Sequence, residues 1–304
     1  MILPGFSQAL TGISGILISP YSSDDSLDGA KLKPLVDRAI GAGVHVLVAN
    51  GNTGEYYGLT ADEAEQFVRS AEQHIAGRVP LLAGIGRSIK EACQLAKVSA
   101  EAGADGLMIH QPPDPFVSPR GIVDYVQRVH AASDGLPIML YLRNDAIGTD
   151  AIVKLCSLEG VAGIKWATPN PLKLAEAIAA CPDHLIWVGG LAEVWAPSFY
   201  AVGARGFTSG LINIWPERSV AIHTALEAGD YAQARLLIDG MRDFEDVRAE
   251  EMNGTNVTAV KAALIMMEND CGPTRPPSAW PLTSTQAQKL KTFLDREGLL
   301  PAER

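Results

Sequence analysis

The chain has 304 residues, 47% hydrophobic and 20% charged, enough to bury one large core and close to the size of a (β/α)₈ barrel with an extension. Its formal charge of −10 disfavours nucleic acid and acidic membranes as partners, so an anionic small substrate must be held by local donors. No apolar run approaches the roughly 20 residues a membrane span needs, and Met1-Ile2-Leu3-Pro4-Gly5-Phe6 has no basic segment followed by an apolar one, so the expectation is a soluble, cytoplasmic protein.

In chain order, short runs rich in Val, Ile and Leu alternate with stretches of helical period. Ile13–Ser19 precedes a helix over Leu32–Ala42, Val44–Asn50 one over Ala61–Ile75, and Pro80–Ile85 one over Ile89–Ala102. Gly106–His110 is followed by Pro119–Ala132, Pro137–Leu142 by Ala151–Leu158, and Val161–Ala167 by Pro171–Ala180; Leu185–Gly189 and Gly203–Ser209 complete eight runs. Their composition suits strands buried on both faces. Gly43, Gly103 and Gly203 each stand where a helix must stop before the next strand. Eight such units without a linker predict an α/β fold, one closed TIM barrel, over residues 1–224. The remaining residues, 225–304, read as a helical C-terminal subdomain; helices are predicted over Pro216–Ala228, Tyr231–Glu250, Asn256–Asn269 and Ser284–Glu297.

Cys93, Cys156, Cys181 and Cys271 are too scattered for a zinc site and read as free thiols, and the six histidines are equally dispersed, so no metal is expected. The sequons at Asn253 and Asn256 read as chance matches in a chain with no secretion signal.

Lys165 is the most informative residue. It is the one lysine inside a predicted barrel strand, where alternation puts it on a face with Gly163 and Ala167. Desolvation lowers the pKa of such an amine and frees the nucleophile that condenses with ketones. The competing reading is a lysine snorkelling to the rim or paired with a buried carboxylate. Tyr141 lies toward the C-terminal end of the fifth strand, where barrel active sites form, and a phenol there can relay protons. Arg143, on the same face, can clamp a carboxylate; the alternatives are a satisfied core tyrosine and a surface ion pair.

Gly51-Asn52-Thr53-Gly54-Glu55 permits a tight loop whose backbone N–H groups cradle a carboxylate, or is an ordinary Gly-rich turn; Glu55 can cap the next helix or brace the loop. Gly189-Gly190 and Gly206-Phe207-Thr208-Ser209-Gly210 follow strands seven and eight, where many barrels bind phosphate. A phosphosugar aldolase or isomerase is therefore a competing reading, but Gly190, Thr208 and Ser209 serve equally as a donor wall around an adduct on Lys165.

Together these residues resemble the dihydrodipicolinate synthase/N-acetylneuraminate lyase family over nearly the whole chain. The resemblance rests on Ser19-Pro20-Tyr21, the Gly51–Glu55 loop, Tyr141, Gly163-Ile164-Lys165, Gly206–Ser209 and Arg275-Pro276-Pro277. It implies an imine on Lys165, proton relay by Tyr141, a 2-oxo acid carboxylate at Asn52 and Thr53, no cofactor, and a homotetramer or dimer. Three features depart from the synthases: Asn52 replaces a second threonine, Gln111–Phe116 lacks the tyrosine that crosses the dimer interface, and Ala146 stands where an arginine is expected. Tyr141-Leu142-Arg143-Asn144-Asp145 and Gly54–Thr60 are more similar to the 5-dehydro-4-deoxyglucarate dehydratases, implying a 2-oxo-3-deoxy sugar acid as substrate. A dihydrodipicolinate synthase or another pyruvate-dependent aldolase, and a non-catalytic 2-oxo-acid binder, are the alternatives.

Overall fold

The computed structural model describes residues 4–277 and 280–301; Met1–Leu3 and Ala302–Arg304, at the outer ends of the two expected domains, lie outside them. Eight parallel strands close into one barrel, each hydrogen-bonded to its sequence neighbours and the last to the first. They are β1 (Ile13–Ile16), β2 (Val46–Ala49), β3 (Leu81–Ile85), β4 (Gly106–His110), β5 (Ile138–Leu142), β6 (Val161–Trp166), β7 (Ile186–Gly189) and β8 (Gly206–Ser209). The TIM barrel read from the sequence is the observed fold.

The helices begin with α1 (Pro4–Leu10), which the sequence reading did not anticipate. Phe6 and Leu10 of α1 join the barrel-interior cluster with Val46, Val48 and Met139. Gly106 and Gly163 leave room for them, since a Cβ at either position would meet Phe6 or Leu10. The N-terminal mouth of the barrel is thus filled by an apolar plug.

Around the strands run α2 (Leu32–Ala42), α3 (Ala61–Ile75), α4 (Ile89–Glu101), α5 (Pro119–Ala132), α6 (Thr149–Cys156), α7 (Pro171–Ala180), α8 (Ala192–Tyr200) and α9 (Pro216–Glu227). Capping boxes at Thr60/Glu63 and Ser88/Glu91 start α3 and α4 by satisfying first-turn N–H groups. Gly43, Gly103 and Gly203 take φ of 97°, 92° and 116°, the left-handed turn that glycine adopts without steric cost. The last of these turns explains why β8 begins at Gly206, three residues after the predicted start.

The tail comprises α10 (Tyr231–Asp239), α11 (Arg242–Asn253), α12 (Asn256–Met266) and α13 (Ser284–Arg296), and residue 225 falls in the last turn of α9. One long helix was expected over Tyr231–Glu250, but the chain turns at Gly240. Arg218 donates to the Leu237 carbonyl at 2.9 Å and Arg296 to the Gly240 carbonyl at 3.3 Å, replacing helical bonds that a continuous helix would have made. The turn lets α11 cross the C-terminal mouth of the barrel, and Glu250, Glu251 and Met252 then leave helical geometry. All four cysteines are free thiols, and no helix among the described residues is long and apolar enough to cross a membrane.

Candidate active site

A cavity of about 860 Å³ opens at the C-terminal ends of the strands. Tyr141 on β5 and Lys165 on β6 form its floor in register, and His110 on β4 pairs with Tyr141 behind them. All three point inward, as alternation from Met108, Met139 and Gly163 requires.

Lys165 is 3% exposed and lines the cavity. Its Nζ sits 3.9 Å from the Tyr141 ring centroid. Burial, and after it the Arg143 guanidinium, hold its pKa down to about 7. The amine is therefore substantially deprotonated at neutral pH, and no neighbouring carboxylate raises it. Lys261, the other buried lysine among the described residues, differs: its Nζ meets Glu55 at 2.5 Å. Gly190 keeps space beside Lys165, since a Cβ there would lie 3.0 Å from Lys165 Cγ and 2.8 Å from Ala167 Cβ.

The Tyr141 hydroxyl accepts a hydrogen bond from Asn52 Nδ2 at 3.0 Å. Because the amide donates, the phenol's own proton is free for the cavity. Burial pushes the phenol up to about 12, with Arg143 opposing. His110, 5.1 Å from the Tyr141 ring, was not singled out in the sequence. Burial, then the charge of Lys165, lowers its pKa to about 3, so it stays neutral. Its Nε2–H donates to the Asn50 carbonyl at 3.0 Å, which fixes the tautomer and leaves Nδ1 bare. The strand alternation that selected Tyr141 would also have found His110, at the same inward level one strand away.

Thr53, Thr208 and Gly190 line the cavity with Lys165, and Arg143 stands exposed at its rim. Gln111 fixes the Arg143 backbone, its Oε1 accepting from Arg143 N at 2.7 Å and Asn144 N at 2.8 Å. Two expected binding residues lie elsewhere. Gly54 packs against the segment after β1, its carbonyl accepting from Ser19 Oγ at 2.5 Å, because a Cβ there would meet the Leu17 carbonyl. Ser209 alternates to the outer face beside Thr208, where its hydroxyl bonds Ser219 at 3.1 Å. Ser219 in turn donates to Glu193 at 2.6 Å, a buried carboxyl whose pKa is raised by burial and next by Glu245.

The far wall comes from the tail. Glu245 and Arg248 of α11 and Asn256 of α12 line the cavity, as do Tyr56 and Tyr57 after the Gly51–Glu55 loop. The two tyrosines were within reach of a sequence reading, since they directly follow that loop. No local pattern marked Arg248.

The sequence profile of the Dihydrodipicolinate synthetase family matches residues 9–297. The chain belongs to this family. As a family member it is an enzyme, a lyase. It is 33% identical to a probable 5-dehydro-4-deoxyglucarate dehydratase of Streptomyces coelicolor, over 97% of this chain and 96% of that protein. A probable 5-dehydro-4-deoxyglucarate dehydratase of Rhizobium rhizogenes is 30% identical over 88% and 89%. Among solved structures, the dihydrodipicolinate synthase of Bacillus clausii superposes with a TM-score of 0.92 at 34% identity, covering 96% of this chain and 99% of that one. A family member from E. coli K12, solved in complex with pyruvate, superposes with a TM-score of 0.85 at 26% identity, covering 95% and 98%. Relatives named for different reactions are equally similar, so individual site residues must separate those reactions.

Proposed function

We propose that this lyase binds a 2-oxo acid as an imine on Lys165 and dehydrates a 2-oxo-3-deoxy sugar acid, as the name 5-dehydro-4-deoxyglucarate dehydratase describes for its relatives. The observation that carries the reading is a buried lysine with no carboxylate partner, set beside the Tyr141 ring and at the floor of a polar cavity. The free amine attacks the keto carbon, and the carbinolamine loses water to give the imine. A proton then leaves the carbon next to the imine carbon, the electron pair forms the enamine, and the hydroxyl on the following carbon departs as water. Tyr141, whose proton is not committed to Asn52, delivers and recovers protons in these steps. The reaction needs no cofactor beyond the Lys165 amine.

An aldarate-derived substrate carries a carboxylate at each end. Thr53 receives the one beside the ketone. Arg143, at the rim and outside the ion pairs among the described residues, suits the other. Ala146, on an exposed turn three residues later, lacks the guanidinium expected at that position in the synthases. Asn52 places an amide where the synthases have a hydroxyl, and an amide cannot pass a proton along as a hydroxyl does. These two positions favour the dehydratase over condensation of pyruvate with aspartate semialdehyde. The family resemblance also implies a dimer or tetramer, which a solution mass measurement decides.

Borohydride with pyruvate, or with 5-dehydro-4-deoxyglucarate, is expected to add one covalent ligand to Lys165, read by peptide mass spectrometry. Absence of the adduct, or its persistence in Lys165→Ala, rejects the reading. Assay of 2-oxo-3-deoxy sugar acids against pyruvate with aspartate semialdehyde separates the two reactions.

A further inference from the structure

We propose that Arg248, from the C-terminal helix α11, is the cation that holds the keto-side carboxylate of the substrate opposite Thr53. The inference rests on the reading that a 2-oxo acid occupies this cavity.

Arginine cannot shed its charge, so a buried guanidinium demands partners. Arg248 is 4% exposed, yet it lines the cavity. Its Nη1 donates to Glu245 Oε1 at 2.5 Å and its Nη2 to Asn256 Oδ1 at 3.0 Å. Its Nε is buried without a partner, so the five-donor fork is only partly used. An ion pair that served only to stabilise α11 would resemble the other pairs at this spacing. Arg242–Asp239 has side-chain exposures of 54% and 52%, and Lys173–Glu176 of 27% and 62%. Arg248–Glu245, at 5% and 13%, is instead buried inside the wall.

Gly210 gives its position. A Cβ on that glycine would lie 2.8 Å from Arg248 Nη2 and 3.2 Å from Thr53 Oγ1. The two donors therefore stand within about 6 Å of each other, and a carboxylate, accepting through both oxygens, bridges such a gap. The absence of a side chain at residue 210 keeps the gap open. The loop offers no cation: the Asn52 amide gives one of its two N–H groups to Tyr141, and Thr53 is the loop's one cavity-facing hydroxyl. Arg248 adds a charged contact from the opposite wall. Arg143, out at the rim, remains for the distal end of a longer substrate.

Isothermal titration of the full chain with pyruvate and with methyl pyruvate tests this, since only the first carries the carboxylate. The wild type is expected to prefer pyruvate, and Arg248→Met to lose about 10–100-fold of that preference while binding methyl pyruvate as before. Arg248→Lys, which keeps the charge but not the fork, should fall between. Gly210→Ala keeps the guanidinium in the chain but crowds its Nη2 and fills the gap, and should cause the same selective loss even if Arg248→Met folds poorly. Equal weakening of both ligands in these variants, or an unchanged preference for pyruvate, overturns the proposal. Borohydride trapping on the same samples reads Lys165 separately: a preference that depends on Arg248 without an adduct removes the imine alone, and an adduct with the preference intact removes Arg248 alone.

Discussion

Two side chains in hydrogen-bonded register, Tyr141 and Lys165, set the chemistry at the scale of single residues. With its pKa held near 7, Lys165 gives an imine whose rate of formation should rise with pH through about 7 and then level off. An exposed lysine would still be gaining toward about 10.4. The same shift acts on stability. The unfolded chain keeps this proton up to about 10.4 while the folded chain releases it near 7, so between those values the unfolded state binds more protons and stability rises with pH. Below 7 both states are charged and the full cost of burying the ammonium applies. Lys165→Met should therefore stabilise the fold by about 1–4 kcal/mol at pH 6, with a gain that shrinks as pH climbs toward 10, measured by urea unfolding. Tyr141→Phe removes the proton donor but leaves the amine. It should slow turnover by about 10²–10⁴ while the borohydride adduct still forms, a separation that steady-state kinetics and mass spectrometry together detect.

Elements enter where loops must be held still. The loop after β2 carries Thr53 into the cavity and ends on Glu55, whose φ of 53° is the left-handed region a non-glycine residue adopts only when its surroundings require it. The surroundings do. Glu55 Oε1 pairs with Lys261 of α12 at 2.5 Å, and Oε2 accepts from the Arg275 backbone N–H at 2.9 Å. The brace expected of Glu55 thus exists, but its partners come from more than 200 residues away. Lys261→Met would strand a buried carboxylate and should cost about 3–5 kcal/mol. The double variant with Glu55→Gln should recover part of that loss, again read from urea midpoints.

Three sequence motifs far apart in the chain meet when the whole molecule is considered. The Tyr21 ring meets both Lys261, at 4.0 Å, and Arg275, at 3.9 Å. Arg275 also clamps Glu63 through both carboxylate oxygens at 2.9 and 2.8 Å and bonds Asp25. Ser19-Pro20-Tyr21, Glu55 and Arg275-Pro276-Pro277 each looked like an isolated family signature in the sequence, and together they pin the tail to the barrel. Arg275→Ala should lower stability by about 1–2 kcal/mol and, because α11 forms the cavity wall, raise KM as well. A loss of stability with KM unchanged would mean that the tail keeps its place without this clamp.

The eight strands were legible because burial on both faces writes a short apolar run, and glycine stops mark where several helices end. The inward aim of Lys165 and Tyr141 was legible because alternation along a strand is local. Period two alone also implies that Ser209 faces away beside inward Thr208, yet the sequence reading grouped both with the site, and it passed over His110 by the same rule. What only the tertiary structure decided is the meeting of distant segments: the plug of Phe6 and Leu10, the turn at Gly240 that lays α11 over the mouth, the Glu55–Lys261 pair, and Arg248 and Thr53 on either side of Gly210. A helical period states which face of α11 is apolar. It does not state what that face will cover, because the partner surface is made by residues some 200 positions earlier and exists only once the barrel has closed.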